Sequence, residues 1–197
     1  MYKRIILGLL IALASTLAAS AEERPEDLVL ETEQVPTGGD FSLQSIDGPL
    51  STKDLRGKLI LLYFGYTMCP DVCPTSLSFL TQALNGLTEE ELTNVVGIFV
   101  SVDPKRDSVE KLKQYVNYFH KNLIGVTGTP EEVAEVAKLY GAKYYEVELQ
   151  GSAIGYSVNH SSVTYLIDKQ GDLKMIFPHE TPATDMLEAI RYLLAEE

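Results

Sequence analysis

Cys69 and Cys73 are the two cysteines of this chain, and they share one segment, Gly65 to Leu77, which reads GYTMCPDVCPTSL. Each precedes a proline, Pro70 or Pro74. Two thiols so close in sequence suit three kinds of chemistry: a structural disulfide, a thiol–disulfide couple, or part of a site for a soft metal such as Cu(I). A structural disulfide explains them poorly, because so short a loop removes little entropy from the unfolded chain. The C-x3-C spacing is wider than that of thioredoxin chemistry and leaves room for an ion between the sulfurs. The prolines predict where the pair sits. Pro74 costs least at the first helical position, which makes Cys73 the N-cap. Its thiol then lies at the positive end of a helix, where a thiolate is stabilised and the pKa falls. Cys69 folds back toward the same point.

A third ligand would separate a metal site from a redox couple, and the chain has three histidines. His120 follows Tyr118-Phe119 at a helix end, where it reads as a C-terminal cap. His179 lies in the loop before the last helix and reads as solvated. His160, in YSVNHSS, stands where a loop enters a strand; taken alone it reads as a structural histidine. Sequence spacing does not bring any of the three to the cysteines.

The elements around the cysteines are clearer. KLILLYFGY (Lys58 to Tyr66) and NVVGIFVSV (Asn94 to Val102) are continuous apolar runs, which predict strands buried on both faces. The cysteines fall between the first of these and a helix with Leu77, Leu80, Leu84 and Leu87 at helical spacing. Loops at the carboxyl ends of such strands form the functional crevice of open α/β sheets. A hairpin over Phe41 to Thr52 comes first, turning at Asp47-Gly48. Ser108 caps a helix carrying Leu112, Tyr115, Val116 and Phe119. Leu123 to Thr127 is a short strand, and Thr129-Pro130 opens a helix to Leu139. Strands follow over Tyr156–Ser162, Val163–Ile167 and Leu173–Phe177, then a helix through Leu194. The order predicts an α/β sheet with helices on both faces. It matches a thioredoxin-like fold with an N-terminal β-hairpin and an added hairpin insertion near the C-terminus.

The N-terminus predicts the compartment. Lys3 and Arg4 precede an uncharged run of 17 residues, Ile5 to Ala21, that ends in small residues. This is the pattern of a signal peptide cleaved after Ala21; the alternative is an uncleaved anchor, at the short limit of a membrane span. No cysteine stands at that site, which excludes a lipid anchor there. Residues 22–39 read as an acidic leader and residues 40–197 as one domain. Loss of Lys3 and Arg4 moves the formal charge from −12 to −14. Such a surface repels nucleic acid and anionic lipid.

With these residues in view, the chain resembles the Sco/SenC family. The resemblance rests on Gly65-Tyr66-Thr67-x-Cys69-Pro70-Asp71-Val72-Cys73-Pro74, on Ser101-Val102-Asp103-Pro104-x-Arg106-Asp107, and on Tyr156-x-Val158-x-His160-Ser161. It implies a thioredoxin-like copper protein of the periplasm, free or anchored to the inner membrane. It implies one copper per chain, Cu(I) or Cu(II), on Cys69, Cys73 and His160, with the cysteines forming a disulfide when oxidised. The implied partner is the copper-bearing subunit of cytochrome c oxidase, whose binuclear site the family helps assemble; other periplasmic copper or thiol-redox proteins are further partners, and a monomer is the default. Thiol–disulfide reduction of the acceptor's cysteines is the alternative role, and whether the chain is an enzyme stays open with it. A copper or redox sensor acting through a partner is a further reading. A thiol peroxidase would need Thr67 and an arginine at the reactive sulfur, and none is adjacent in sequence. This chain has Met68 where members often carry histidine, and Asn159 where they often carry aspartate. Met68 reads as a partly packed loop residue, with a weak thioether ligand as the alternative, and Asn159 withholds a carboxylate that would tune His160. Asp71 and Asp103 are candidates for shaping the site, Asp103 equally as a strand-ending turn.

Overall fold

Seven consecutive residues in each of β3 (Leu59–Gly65) and β4 (Val95–Ser101) are buried, as their unbroken apolar sequences require. The two strands run parallel, pairing Leu59 with Val95 through Gly65 with Ser101. A computed structural model describes residues 36–196. The expected signal segment at 1–21, and the leader up to residue 35, lie outside the described residues.

β5 (Leu123–Val126) lies parallel to β4. On the other side of β3, β8 (Thr164–Ile167) and β9 (Leu173–Phe177) add antiparallel strands, giving the order β5-β4-β3-β8-β9. The N-terminal hairpin is β1 (Ser42–Ser45) with β2 (Gly48–Ser51). It joins the end of β5 through reciprocal backbone bonds between Gln44 and Thr127 at 2.7 and 2.9 Å. This is the expected thioredoxin-like α/β order.

Alternation along β3 assigns the faces. Tyr63 stacks on Phe99, which meets Tyr115 of α3 (Val109–Phe119). Phe64, pointing the opposite way, meets Tyr140 at the end of α4 (Pro130–Leu139), and also Tyr165. Ser108 caps α3 and Thr129 caps α4, each accepting a backbone N–H, as their sequences predict. The last helix, α5 (Ala183–Ala195), packs beside α1 (Val72–Asn85), with Leu187 closing over Gly86.

Two elements differ from the expectation. α2 (Glu89–Thr93) is a short helix with a capping box between Thr88 and Glu91. β6 (Tyr144–Glu148), which the sequence reading left unassigned, pairs antiparallel with β7 (Tyr156–His160). These two strands form a sheet of their own, and this is the inserted hairpin. β6 was not legible because none of its residues is buried and its exposure does not alternate, so it has no apolar face. Its order comes from the backbone ladder to β7.

Candidate metal centre

The cysteine loop leaves the carboxyl end of β3 and enters α1. Its N-cap is Asp71, not Cys73. Cys73 is the second helical residue and Pro74 the third. A proline is accommodated there because amides of a first helical turn have no intrahelical acceptor. The correction changes which sulfur the helix serves. The Cys73 amide donates to Cys69 Sγ at 3.4 Å, and the Asp71 amide also reaches that sulfur.

The two thiols are therefore unlike. Cys69 is half-buried and its pKa lies well below the ordinary thiol range. The Cys73 thiol donating to it is the main cause, and the Asp71 and Cys73 amides add to it against a desolvation penalty. Cys73 is completely buried. Burial pushes its pKa up, and the neighbouring Cys69 thiolate pushes it further. The expectation of a depressed Cys73 is thus reversed: the positive helix end stabilises Cys69, while Cys73 keeps its proton.

Cys73 is seated by an absence. A Cβ on Gly65 would stand 2.7 Å from Cys73 Sγ and 2.9 Å from Phe99 Cε2. Only glycine at the end of β3 lets the sulfur rest against the sheet. Tyr63 borders the same spot, its hydroxyl 3.5 Å from the Val72 carbonyl and within reach of Cys73 and Ser76. Asp107, its side chain fully buried, ties down the start of the loop. It accepts from the Thr67 amide at 2.9 Å, the Thr67 hydroxyl at 2.5 Å, Ser101 Oγ at 2.8 Å and Lys111 Nζ at 3.2 Å. With its hydroxyl spent on Asp107, Thr67 is not arranged as a peroxidase threonine.

His160 ends β7 and reaches the sulfurs from across the chain. Its Nε2 lies 3.2 Å from Cys73 Sγ. Nδ1 is 3.0 Å from the Ser161 carbonyl. A carbonyl only accepts, so Nδ1 carries the proton and the Nε2 lone pair faces the thiols. Tyr66 and Tyr63 hold the ring edge-on, with centroids 5.8 and 6.1 Å away. One sulfur from each cysteine and a nitrogen of His160 lie within 4.8 Å of one another. This donor set fits copper: two thiolates satisfy Cu(I), and the imidazole makes Cu(II) acceptable.

The other candidates fall elsewhere. His120 is buried at the C-cap of α3, where its Nδ1 accepts the Asn122 amide at 3.0 Å. His179 is not simply solvated: it is half-buried, with Nδ1 2.9 Å from Ser76 Oγ. Met68 is exposed at the rim. Asn159 alternates away from His160 and donates to Tyr145 Oη at 2.8 Å, so Ser161 and not position 159 orients the imidazole. Asp103 does more than end a strand: it is buried and accepts from the Tyr156 hydroxyl at 2.7 Å. Gly65, Arg106, Asp107 and Tyr156 were not picked out as individual residues by sequence reasoning. Their signal there was only that they lie inside the three ordered motifs.

The SCO1/SenC family model matches residues 30–195. An SCO2-like protein of Rickettsia conorii is 35% identical over 193 residues, covering 95% of this chain and 94% of its own. Arabidopsis thaliana ScoI, solved with copper bound, is 37% identical with a TM-score of 0.74, covering 81% of this chain and 99% of its own. Bradyrhizobium japonicum ScoI, also solved with copper bound, is 34% identical with a TM-score of 0.72, covering 80% of this chain and 99% of its own.

Proposed function

This chain belongs to the SCO1/SenC family, and we propose that it is an exported copper metallochaperone that holds one Cu(I) or Cu(II) on Cys69, Cys73 and His160. The observation that carries the reading is the convergence of two sulfurs and one imidazole nitrogen, drawn from segments 87 residues apart. The recipient is the copper-bearing subunit of cytochrome c oxidase, in keeping with the family's association with that enzyme's assembly. The periplasm is the compartment in this reading, supported by the signal-like N-terminus. Among the described residues no helix is long and apolar enough to cross a membrane.

The unlike thiols give the transfer a direction. Copper entering must displace the proton of Cys73, since only a thiolate binds it. Burial disfavours that thiolate once the metal is gone, so the proton returns as copper leaves. Cys69, already deprotonated and half-exposed, is the sulfur an acceptor meets first.

The same asymmetry favours a second role, thiol–disulfide reduction of the acceptor. The Cys69 thiolate attacks an acceptor disulfide and forms a mixed disulfide, releasing one acceptor thiolate. Cys73 then loses its proton and attacks Cys69 Sγ. The acceptor leaves as a dithiol, and Cys69 and Cys73 are left as a disulfide.

Copper stoichiometry tests the first role. The chain from Glu22 onward, reduced, is loaded with Cu(I) or Cu(II) and challenged with a competing chelator. One copper per chain should remain, with a thiolate-to-Cu(II) absorption band lost in His160→Ala and in the double variant Cys69→Ala/Cys73→Ala. No retained copper in the unsubstituted protein would refute the chaperone reading and leave the cysteines as a redox couple.

A further inference from the structure

His160 is carried by strands that pair only with each other, so the central sheet does not fix its place. Beside the Tyr63 and Tyr66 rings, the polar contacts that hold its hairpin come from the loop between β4 and α3. Arg106 Nη1 donates to the Tyr156 carbonyl at 2.8 Å and to the Ile154 carbonyl at 3.3 Å, both on the hairpin. Its Nε donates to Asp103, which also accepts the Tyr156 hydroxyl. The guanidinium lies 3.6 Å from the centroid of the Tyr156 ring and 5.7 Å from that of Tyr66. Nη2 is buried and has no hydrogen-bond acceptor, so ring faces are what hold that end.

Two lines run from this residue to the imidazole. Residues 156, 158 and 160 share one face of β7, and Val158 between them is buried. Fixing Tyr156 at one end of the strand therefore sets His160 at the other. The second line passes through Tyr66, whose ring meets Arg106 on one side and the His160 ring on another.

We propose that Arg106 is a positioning residue for His160: bound by Asp103 and stacked on Tyr156, it locks the β6–β7 hairpin so that the imidazole meets the Cys73 sulfur. This rests on the copper reading above. Its consequence falls on Cu(II), because Cu(I) is satisfied by the two thiolates while Cu(II) needs the nitrogen ligand. Arg106 is thus a determinant of oxidation-state preference that touches no metal.

The test compares Arg106→Ala, Arg106→Lys and the milder Tyr156→Phe. Each is made in the unsubstituted protein and in the His160→Ala background, on the chain from Glu22 onward. Two quantities are read: retention of Cu(I) and of Cu(II) against a chelator, and amide hydrogen exchange over residues 144–160 in the copper-free protein. Arg106→Ala should weaken Cu(II) retention by about 10–100-fold, the range for residues that orient metal ligands. It should leave Cu(I) retention unchanged and speed exchange in the hairpin alone. Lysine should not rescue it, because it lacks the planar fork that bridges Asp103 and the Tyr156 carbonyl. Tyr156→Phe should move both readouts in the same direction by less. With His160 already gone, Arg106→Ala should have no further effect on Cu(II). Equal losses for the two oxidation states, full additivity with His160→Ala, or unchanged hairpin exchange would each overturn the proposal. If the unsubstituted protein retains no copper, the copper reading fails by itself, and the exchange arm still decides whether Arg106 fixes the hairpin.

Discussion

The cysteine loop and the histidine hairpin supply the same centre from opposite kinds of structure. The loop joins the fully buried β3 to α1, and one of its sulfurs is part of the core, pressed against Gly65 and Phe99. Its entry is tied by a buried carboxylate with four donors. The hairpin buries one residue of β7, Val158, and exposes most of β6. It is held by a guanidinium, a tyrosine hydroxyl and ring faces. A ligand built into the core keeps its place as long as the protein is folded. A ligand on a hairpin keeps its place only as long as a few polar contacts do. In the proposed copper-transfer role, the thiols form the permanent part of the site and the imidazole the adjustable part.

This contrast can be broken most forcefully on the loop side. Asp107→Ala strands the Thr67 amide and the Ser101 hydroxyl and leaves Lys111 without its carboxylate. Leaving a buried donor unsatisfied costs about 1–3 kcal/mol, and Lys111, 41% exposed, adds little to that. Urea unfolding should show a loss in that range; a loss no larger than that of an exposed substitution would mean the loop is not anchored there.

The thiols themselves provide the next test. Cys69 has a depressed pKa, so it stays a thiolate as pH falls through the range where an ordinary thiol protonates. Between pH 8 and pH 6 a free thiol loses reactivity by about 100-fold. Iodoacetamide labelling of Cys69, followed by peptide mass mapping, should change little across that interval. Cys73 should stay unlabelled in the folded protein. Equal labelling of both cysteines would erase the difference drawn between them.

The smallest effect belongs to the hairpin surface. Lys105 Nζ meets Glu146 Oε1 at 2.6 Å, but the two side chains are 61% and 47% exposed. Such pairs contribute about 0–1 kcal/mol, so Lys105→Ala should leave both the unfolding midpoint and Cu(II) retention nearly unmoved. A large effect would show that the hairpin is held by its rim as well as by Arg106.

Much of the scaffold was legible because its causes are local. The apolar runs of β3 and β4, the caps at Ser108 and Thr129 and the hairpin at Phe41 each carry their signal within a few residues. The placing of Pro74 was misjudged by the same local logic. The first turn of a helix tolerates proline at several positions, and only packing chose among them. β6 escaped notice because its order depends on its pairing with β7. Arg106 and Asp107 escaped individual notice because their partners at 154, 156 and 67 are far away in sequence.

The sequence by itself determined the α/β order, the two thiols beside a helix start, and, through three ordered motifs, the family. The tertiary structure alone decided which thiol carries the charge, because burial and helix amides act on sulfurs only where the chain has placed them. The family resemblance had named His160 over His120 and His179, but the contact with the cysteines, which spans 87 residues, belongs to the folded chain. No period or propensity of the sequence encodes such a distance; it follows from β7 being held against the loop by side chains that meet only in the folded chain.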